Sequence, residues 1–451
     1  MKRRFLATAI RSGLSTILLV YSAIAHCGDD AFAKWAAAHA LPVTTLDSAG
    51  KDPDLLPLRS VIGAAHVVAF GEPTHGAHEP LAFRNRLFRF LVEQMGFTAI
   101  ALESGFTESR TVGSFIDGGQ GDASTVAREG LTSGGGRFKE TLELIQWMRD
   151  YNAAASSAGH RKVRFYGIDL AASGRISGPR HGIDYALAFL SRADPTAAEK
   201  IRASLGDSLP GADANEFGPV SKAAVTALDG SITAIAKAMD SNRSILIARG
   251  SDEEYRWALR NLDVLRQLAK CLPVTPPPSD HNNRDWVVAV ACRDHAMAEN
   301  AQWVTENEGR KGRLLLFAHN AHIMNWKQDG GVWTVIGAEK PSMMGSYLRS
   351  AYGKDLYIIA SSSATASPGL PTPEPIEDSI DSTLARVGLP LMIVDVRTAR
   401  QNKEVLEWLS APRPLHANIF SHHLITPSTA VDAFFFISNL TPAIPSSDKA
   451  P

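Results

Sequence analysis

Histidines and carboxylates gather at four places along this 451-residue chain. The run Gly71-Glu72-Pro73-Thr74-His75-Gly76-Ala77-His78-Glu79 carries two of each. Glu103, Asp169 and the run His319-Asn320-Ala321-His322 supply the rest. An imidazole with an ordinary pKa of roughly 6.5 can take or give a proton at neutral pH. A carboxylate beside it fixes its tautomer and steadies its charged form, which is the arrangement of a general base. The serine elbow G-x-S-x-G is absent, so acyl transfer through that nucleophile is not indicated. Also absent are the phosphate loop G-x-x-x-x-G-K-S/T, the fingerprint G-x-G-x-x-G and the zinc helix H-E-x-x-H. Without a nucleophile motif, the histidines and carboxylates suggest water activated by a general base.

Each cluster follows an apolar run of strand length. Seven such runs are read as buried strands: His66–Phe70, Thr98–Leu102, Val163–Ile168, Leu314–Ala318, Leu356–Ala360, Leu391–Val396 and Ala433–Ile437. Runs without polar alternation suit strands covered on both faces, as in parallel sheets. The first four end at Glu72, Glu103, Asp169 and His319, and ligands of open α/β sheets bind beyond the carboxyl ends of the strands. His78 and Asp169 are expected to meet substrate there.

A helix is read after the first strand, because Leu81, Arg84, Phe88, Leu91 and Met95 recur at three- and four-residue spacing. Pro80 suits its first turn and Gly96 its end. Arg84 falls on the apolar face, where an isolated charge is costly, so it is expected to reach Glu72, Glu103 or a substrate. Between about 174 and 308 helical patterns dominate, including Tyr185–Arg192, Thr196–Leu205, Lys222–Met239, Asp252–Cys271 and Arg284–Thr305. The expected fold is therefore α/β: a mostly parallel central sheet flanked by helices, with a helical insertion capping the cleft. Leu272–Asn283, with three consecutive prolines, reads as a loop, Gly118–Gly136 as a mobile surface loop, and 441–451 as a disordered tail.

Composition narrows the class further. Hydrophobic residues make up 45% and charged residues 21%, the balance of a globular protein. Lys and Arg number 46 against 47 acidic residues, with no basic stripe to suit nucleic acid. Lys2, Arg3 and Arg4, an apolar stretch over Leu14–Ile24 and the small-residue site Ala23-Ile24-Ala25 read as a signal peptide over residues 1–25. The mature domain is then 26–440, periplasmic or secreted, with no stable membrane insertion. Cys271 and Cys292 flank the proline-rich loop, and an oxidising compartment would permit a bridge between them; free thiols are equally compatible with the sequence.

The motif residues resemble the erythromycin esterase family. The resemblance rests on Gly71-Glu72-x-Thr74-His75-Gly76, Glu103, Tyr166-Gly167-Ile168-Asp169, Arg293-Asp294-x-x-Met297-Ala298-Glu299-Asn300 and Ala318-His319-Asn320-Ala321-His322-Ile323, continued by Gly345 to Leu348. It implies that His75 is the base for the attacking water. It also implies that Glu72, Arg84 and Glu103 position base and water, and that His319 and His322 form the second histidine pair. The family opens macrolide lactones, so the implied reaction is hydrolysis of a cyclic ester on a small molecule without a cofactor. Pro73 and Phe317 depart from the residues usual in the family. Two other readings stay open from the residues themselves. One is a divalent metal such as zinc held by His75, His78, His319, His322 and Glu103, acting on another ester or amide of the cell envelope. The other is a periplasmic binding protein that does no chemistry.

Overall fold

The computed structural model describes residues 31–47, 52–132, 134–170, 179–205, 222–271, 284–327, 340–373, 376–418 and 421–446. The proposed signal peptide and the Leu272–Asn283 loop lie outside these residues.

All seven expected strands form and join one eight-stranded sheet. They are β2 (Val67–Glu72), β3 (Ala99–Gly105), β4 (Arg164–Asp169), β5 (Leu314–His319), β6 (Leu356–Ala366), β7 (Leu391–Asp395) and β10 (Ala433–Leu440). The eighth is β1 (Leu41–Pro42), too short to leave a pattern in sequence. Strand order is β1-β7-β10-β6-β2-β5-β3-β4. From β10 through β4 every neighbour is parallel, while β7 runs antiparallel to both β10 and β1. A separate hairpin, β8 (Arg413–Asn418) with β9 (Ser421–Ile425), was not expected from the sequence. Its Pro414 and its histidines, His416, His422 and His423, break the apolar pattern that marks a strand.

Burial on both faces explains why the strand sequences do not alternate. Val68, Phe70, Leu315 and Phe317 pack on one face against α1 (His78–Met95) and α2 (Lys139–Ala158). Val67, Ala69, Leu314 and Leu316 face the opposite core. Gly96 ends α1 in the left-handed conformation, as expected.

The opposite core includes the helical insertion: α3 (Pro179–Ser191), α4 (Pro195–Leu205), α5 (Lys222–Ser241), α6 (Arg243–Arg249), α7 (Asp252–Cys271) and α8 (Arg284–Glu308). A Cys271–Cys292 disulfide ties α7 to α8, so of the two states open to these cysteines the bonded one is found. Among the described residues no helix is long and apolar enough to cross a membrane.

Two expectations need correction. Gly118–Gly136 is not a surface loop throughout: Ala123–Gly130 is helical, and Leu131 and Thr132 are buried. Residues 441–446 are not a free tail, because their backbone finds partners. Thr441 N donates to Glu79 at 2.8 Å, His78 N to Thr441 O at 2.8 Å, and Ala443 N to Gly76 O at 2.8 Å. Polar composition there conceals a segment fixed by main-chain bonds, which composition does not report. Residues 447–451 lie outside the described set.

Candidate active site

Strand order sets the site. β2, β5, β3 and β4 are consecutive neighbours, so Glu72, His319, Glu103 and Asp169 stand along one edge of the sheet. Adjacent strands are about 4.8 Å apart, which puts groups distant in sequence within hydrogen-bonding reach. Gly71 makes this possible on β2: a Cβ there would lie 2.4 Å from Asn320 Oδ1 and 2.8 Å from Ile323. Its absence lets the short helix α9 (Asn320–Ile323) sit against the strand. Gly76, at φ +76°, provides the left-handed turn just after His75.

His75 is anchored on one side only. Its Nδ1 lies 2.7 Å from Glu72 Oε1, while Nε2 makes no hydrogen bond among the described residues. The side chain is 52% exposed and borders a cavity of about 90 Å³. Burial would lower the ring's pKa, but the Glu72 hydrogen bond and charge, aided by Glu103, raise it to about 9. The second Glu72 oxygen is buried and has no hydrogen-bond partner among the described residues.

Glu103 is the hub of a charged network. Arg293 Nη2 donates to Glu103 Oε1 at 2.8 Å, and the His319 backbone N–H donates to Oε2 at 2.8 Å. Burial opposes its charge, yet His322 and Arg293 hold the carboxyl well below its usual range. Arg293 also donates Nε and Nη2 to the two Asp169 oxygens at 2.9 and 2.6 Å. His322 Nδ1 faces both Asp294 oxygens, at 2.9 and 3.0 Å, and its Nε2 lies 3.2 Å from Glu103 Oε1. Burial works against the imidazolium, but Asp294 and Glu103 raise its pKa to about 10.

His319 differs. Its Nε2–H donates to Pro73 O at 3.1 Å and its Nδ1 accepts from Ala321 N at 3.3 Å. Burial, then the charges of His75 and His322, drive its pKa well below the usual value, so it is neutral. Its ring packs edge-on to His75, with centroids 5.0 Å apart, and restricts how that ring can swing.

Three expected roles change. Arg84 makes no ion pair with Glu72 or Glu103; its Nε and Nη2 donate to Asn85 Oδ1 at 3.1 and 2.9 Å, and it lies 5.0 Å from the Phe317 ring centroid. The guanidinium rests on a neutral amide and an aromatic face, the charges of Glu72 and Glu140 favour its cation against burial, and the side chain borders the His75 cavity. His78 is turned to Glu140, 2.5 Å away, and does not line the cavity. Asp169 is fully buried, so it holds Arg293 and is not placed to touch a substrate.

Arg293 and Asp294 were not singled out for roles by sequence reasoning, because a helix residue gives no sign of the strand edge it meets. Their place inside one of the resemblance blocks was the available signal. The insertion thus contributes two residues of α8 to the network, but no described residue of it lines the cavity. Among the described residues that wall comes from Leu131, Thr132, Gly135, Phe138 and Thr141.

Metal binding needs several free donors converging on one point. No group of three His, Cys, Asp or Glu side chains suited to an ion is found among the described residues. Both nitrogens of His319 and His322 already face protein partners.

Comparisons with known proteins agree with this architecture. The profile described as erythromycin esterase matches residues 92–440, which takes in Glu103, Arg293, Asp294, His319 and His322 but begins after Glu72, His75 and Arg84. An Escherichia coli protein named erythromycin esterase type II is 26% identical over 287 residues, 60% of this chain and 63% of that one. The match therefore spans less than two thirds of that relative. A Bacillus cereus protein of known crystal structure superposes with a TM-score of 0.76 at 24% identity, covering 93% of this chain and 99% of that one. A mutant erythromycin esterase in its open conformation gives 0.65 at 17% identity, covering 91% and 99%. These two likenesses concern the fold. The profile match spans well over half of the sequence, and the chain belongs to the erythromycin esterase family.

Proposed function

We propose that this protein hydrolyses a carboxylic ester, with a macrolide-type lactone as the substrate class, by water that His75 activates without a metal. The observation that carries the reading is the Glu72–His75 pair: one ring nitrogen is fixed at 2.7 Å and the other is free beside a cavity. In this reading neutral His75 takes a proton from water at Nε2 as the water oxygen bonds to the carbonyl carbon. Nδ1–H donates to Glu72, which stabilises the resulting imidazolium. The carbonyl oxygen becomes an oxyanion. Arg84 is the best candidate to face it, since His319 and His322 have committed their nitrogens. When the carbon–alkoxide bond breaks, the imidazolium returns the proton to the leaving oxygen, and the product is heavier than the lactone by one water. Family membership supports an ester- or lactone-type hydrolase.

The reading includes export to the periplasm or beyond. Lys2-Arg3-Arg4 ahead of an apolar stretch supports it, and a bonded Cys271–Cys292 pair suits an oxidising compartment. Mass spectrometry of macrolides and simple esters after incubation, with and without chelator, tests the chemistry. A hydrated product formed equally in both supports the proposal. Loss of product with chelator overturns the metal-free mechanism, and recovery of every compound unchanged overturns the substrate class.

A further inference from the structure

Arg84 and Asn85 are consecutive on α1, where adjacent residues do not face each other, yet their side chains meet. Asn85 Oδ1 accepts from Arg84 Nε at 3.1 Å and from Nη2 at 2.9 Å. Both residues are buried, at 2% and 7% exposed. The Asn85 amide is itself held, because its Nδ2 donates to Glu140 O at 2.6 Å in the first turn of α2. A carbonyl oxygen has no proton to give, and a guanidinium has no lone pair to offer. Only one orientation of the amide satisfies both neighbours, so the bond to Glu140 fixes Oδ1 toward Arg84. It also ties Arg84 to the cavity wall: Phe138 and Thr141, on either side of the same turn, border the His75 cavity together with Arg84.

A buried arginine ordinarily takes a carboxylate, whose two oxygens match its planar fork. Here the direct acceptor is neutral. Burial works against the cation, and Glu72 and Glu140 favour it by charge. Neither carboxylate bonds to it among the described residues: Glu72 Oε1 faces His75, and Glu140 Oε1 faces His78 and Ile444 N. Arg84 Nη1 makes no hydrogen bond among the described residues and yet is not sealed inside the protein. That nitrogen is the part of the guanidinium left to meet a group in the cavity.

We propose that Asn85 is the positioning residue of Arg84 in ester hydrolysis: it aims the guanidinium and, being neutral, leaves its charge to the developing oxyanion. The inference rests on the oxyanion role given to Arg84 above. A carboxylate in this place would hold the same N–H groups but would offset the positive charge that the oxyanion needs. A preorganised donor stabilises a transition state through the field it presents there, so a neutral anchor serves that end and a charged one does not.

Kinetics with 4-nitrophenyl butyrate as the ester test it, on Arg84→Met, Asn85→Asp, Asn85→Ala and each Asn85 change combined with Arg84→Met. Asn85→Asp keeps the shape and adds a charge, while Asn85→Ala removes both the acceptor and its anchor. Each should lower kcat about ten- to a hundredfold, the scale of a misplaced catalytic group, with KM little changed and the near-ultraviolet circular dichroism of a folded protein. In the Arg84→Met background neither should lower kcat further, because Asn85 acts through the guanidinium alone. An asparagine with a merely structural role would weaken both backgrounds by the same factor. Unchanged kcat in a folded Asn85 variant, a loss that multiplies in full with that of Arg84→Met, or a change confined to KM would each overturn the proposal and leave the Arg84 role standing. Unchanged kcat in Arg84→Met would overturn the oxyanion role, and the proposal with it.

Discussion

His75 presents a conflict that sets its pH behaviour. The glutamates that make it a strong base also keep it protonated: with a pKa of about 9, most of the ring is imidazolium at pH 7. A base must be neutral to act, so kcat/KM should rise with pH, about tenfold per unit, and level off near pH 9. Glu72→Gln removes the charge that raises the pKa, so the plateau should begin at lower pH, with a lower maximum because the imidazolium loses its partner. A limb that does not move in Glu72→Gln would assign the titration to another group. Arg84→Met tests the oxyanion role. It should lower kcat by about 10²–10³-fold, as loss of one preorganised donor does, with little change in KM. A raised KM at constant kcat would make Arg84 a ground-state binding residue instead. Of the groups gathered at the site, Glu72, His75, Glu103, His319 and His322 could be read from sequence because each closes or follows an apolar strand. Arg84 was legible as a buried cation, but its partners were not. Asn85 and Phe317 leave no mark in a pattern search, since a neutral amide and a ring look like ordinary helix and strand residues.

Among the elements, the junction of β4 with α8 holds the network together. Asp169 ends the strand, Arg293 comes from the helix, and Glu103 on β3 shares the same guanidinium. Asp169→Asn leaves that cation with one full partner, and breaking a buried pair commonly costs 3–5 kcal/mol. Because Glu103 remains, a loss of about 3 kcal/mol is expected in urea unfolding. A change under about 1 kcal/mol, the value typical of exposed pairs, would show that the pair contributes no more than a surface bridge. The strands were legible because parallel strands buried on both faces are apolar throughout. The contribution of α8 was not, since more than a hundred residues separate Asp169 from Arg293 and nothing local encodes which strand edge a helix will reach.

On the scale of the whole molecule, the C-terminal segment completes the loop that carries His75. Thr441 and Ala443 bond to Gly76, His78 and Glu79, and Ile444 O accepts from Lys139 N at 2.8 Å. Segments more than 350 residues apart meet here, in a stretch whose composition reads as disorder. Deleting 441–451 should lower kcat/KM on the order of ten- to a hundredfold, the scale of a small displacement of a catalytic group, while the far-ultraviolet spectrum stays that of a folded α/β protein. Unchanged kinetics would show that the turn at Gly76 fixes His75 without help. The central claim, that His75 generates the nucleophile, is tested most directly by His75→Ala assayed for kcat/KM on any ester the wild-type protein turns over. A fall of at least a hundredfold, the scale of general-base catalysis, with an unchanged unfolding midpoint is the predicted result. Retention of most of the activity in a folded His75→Ala protein would contradict the account.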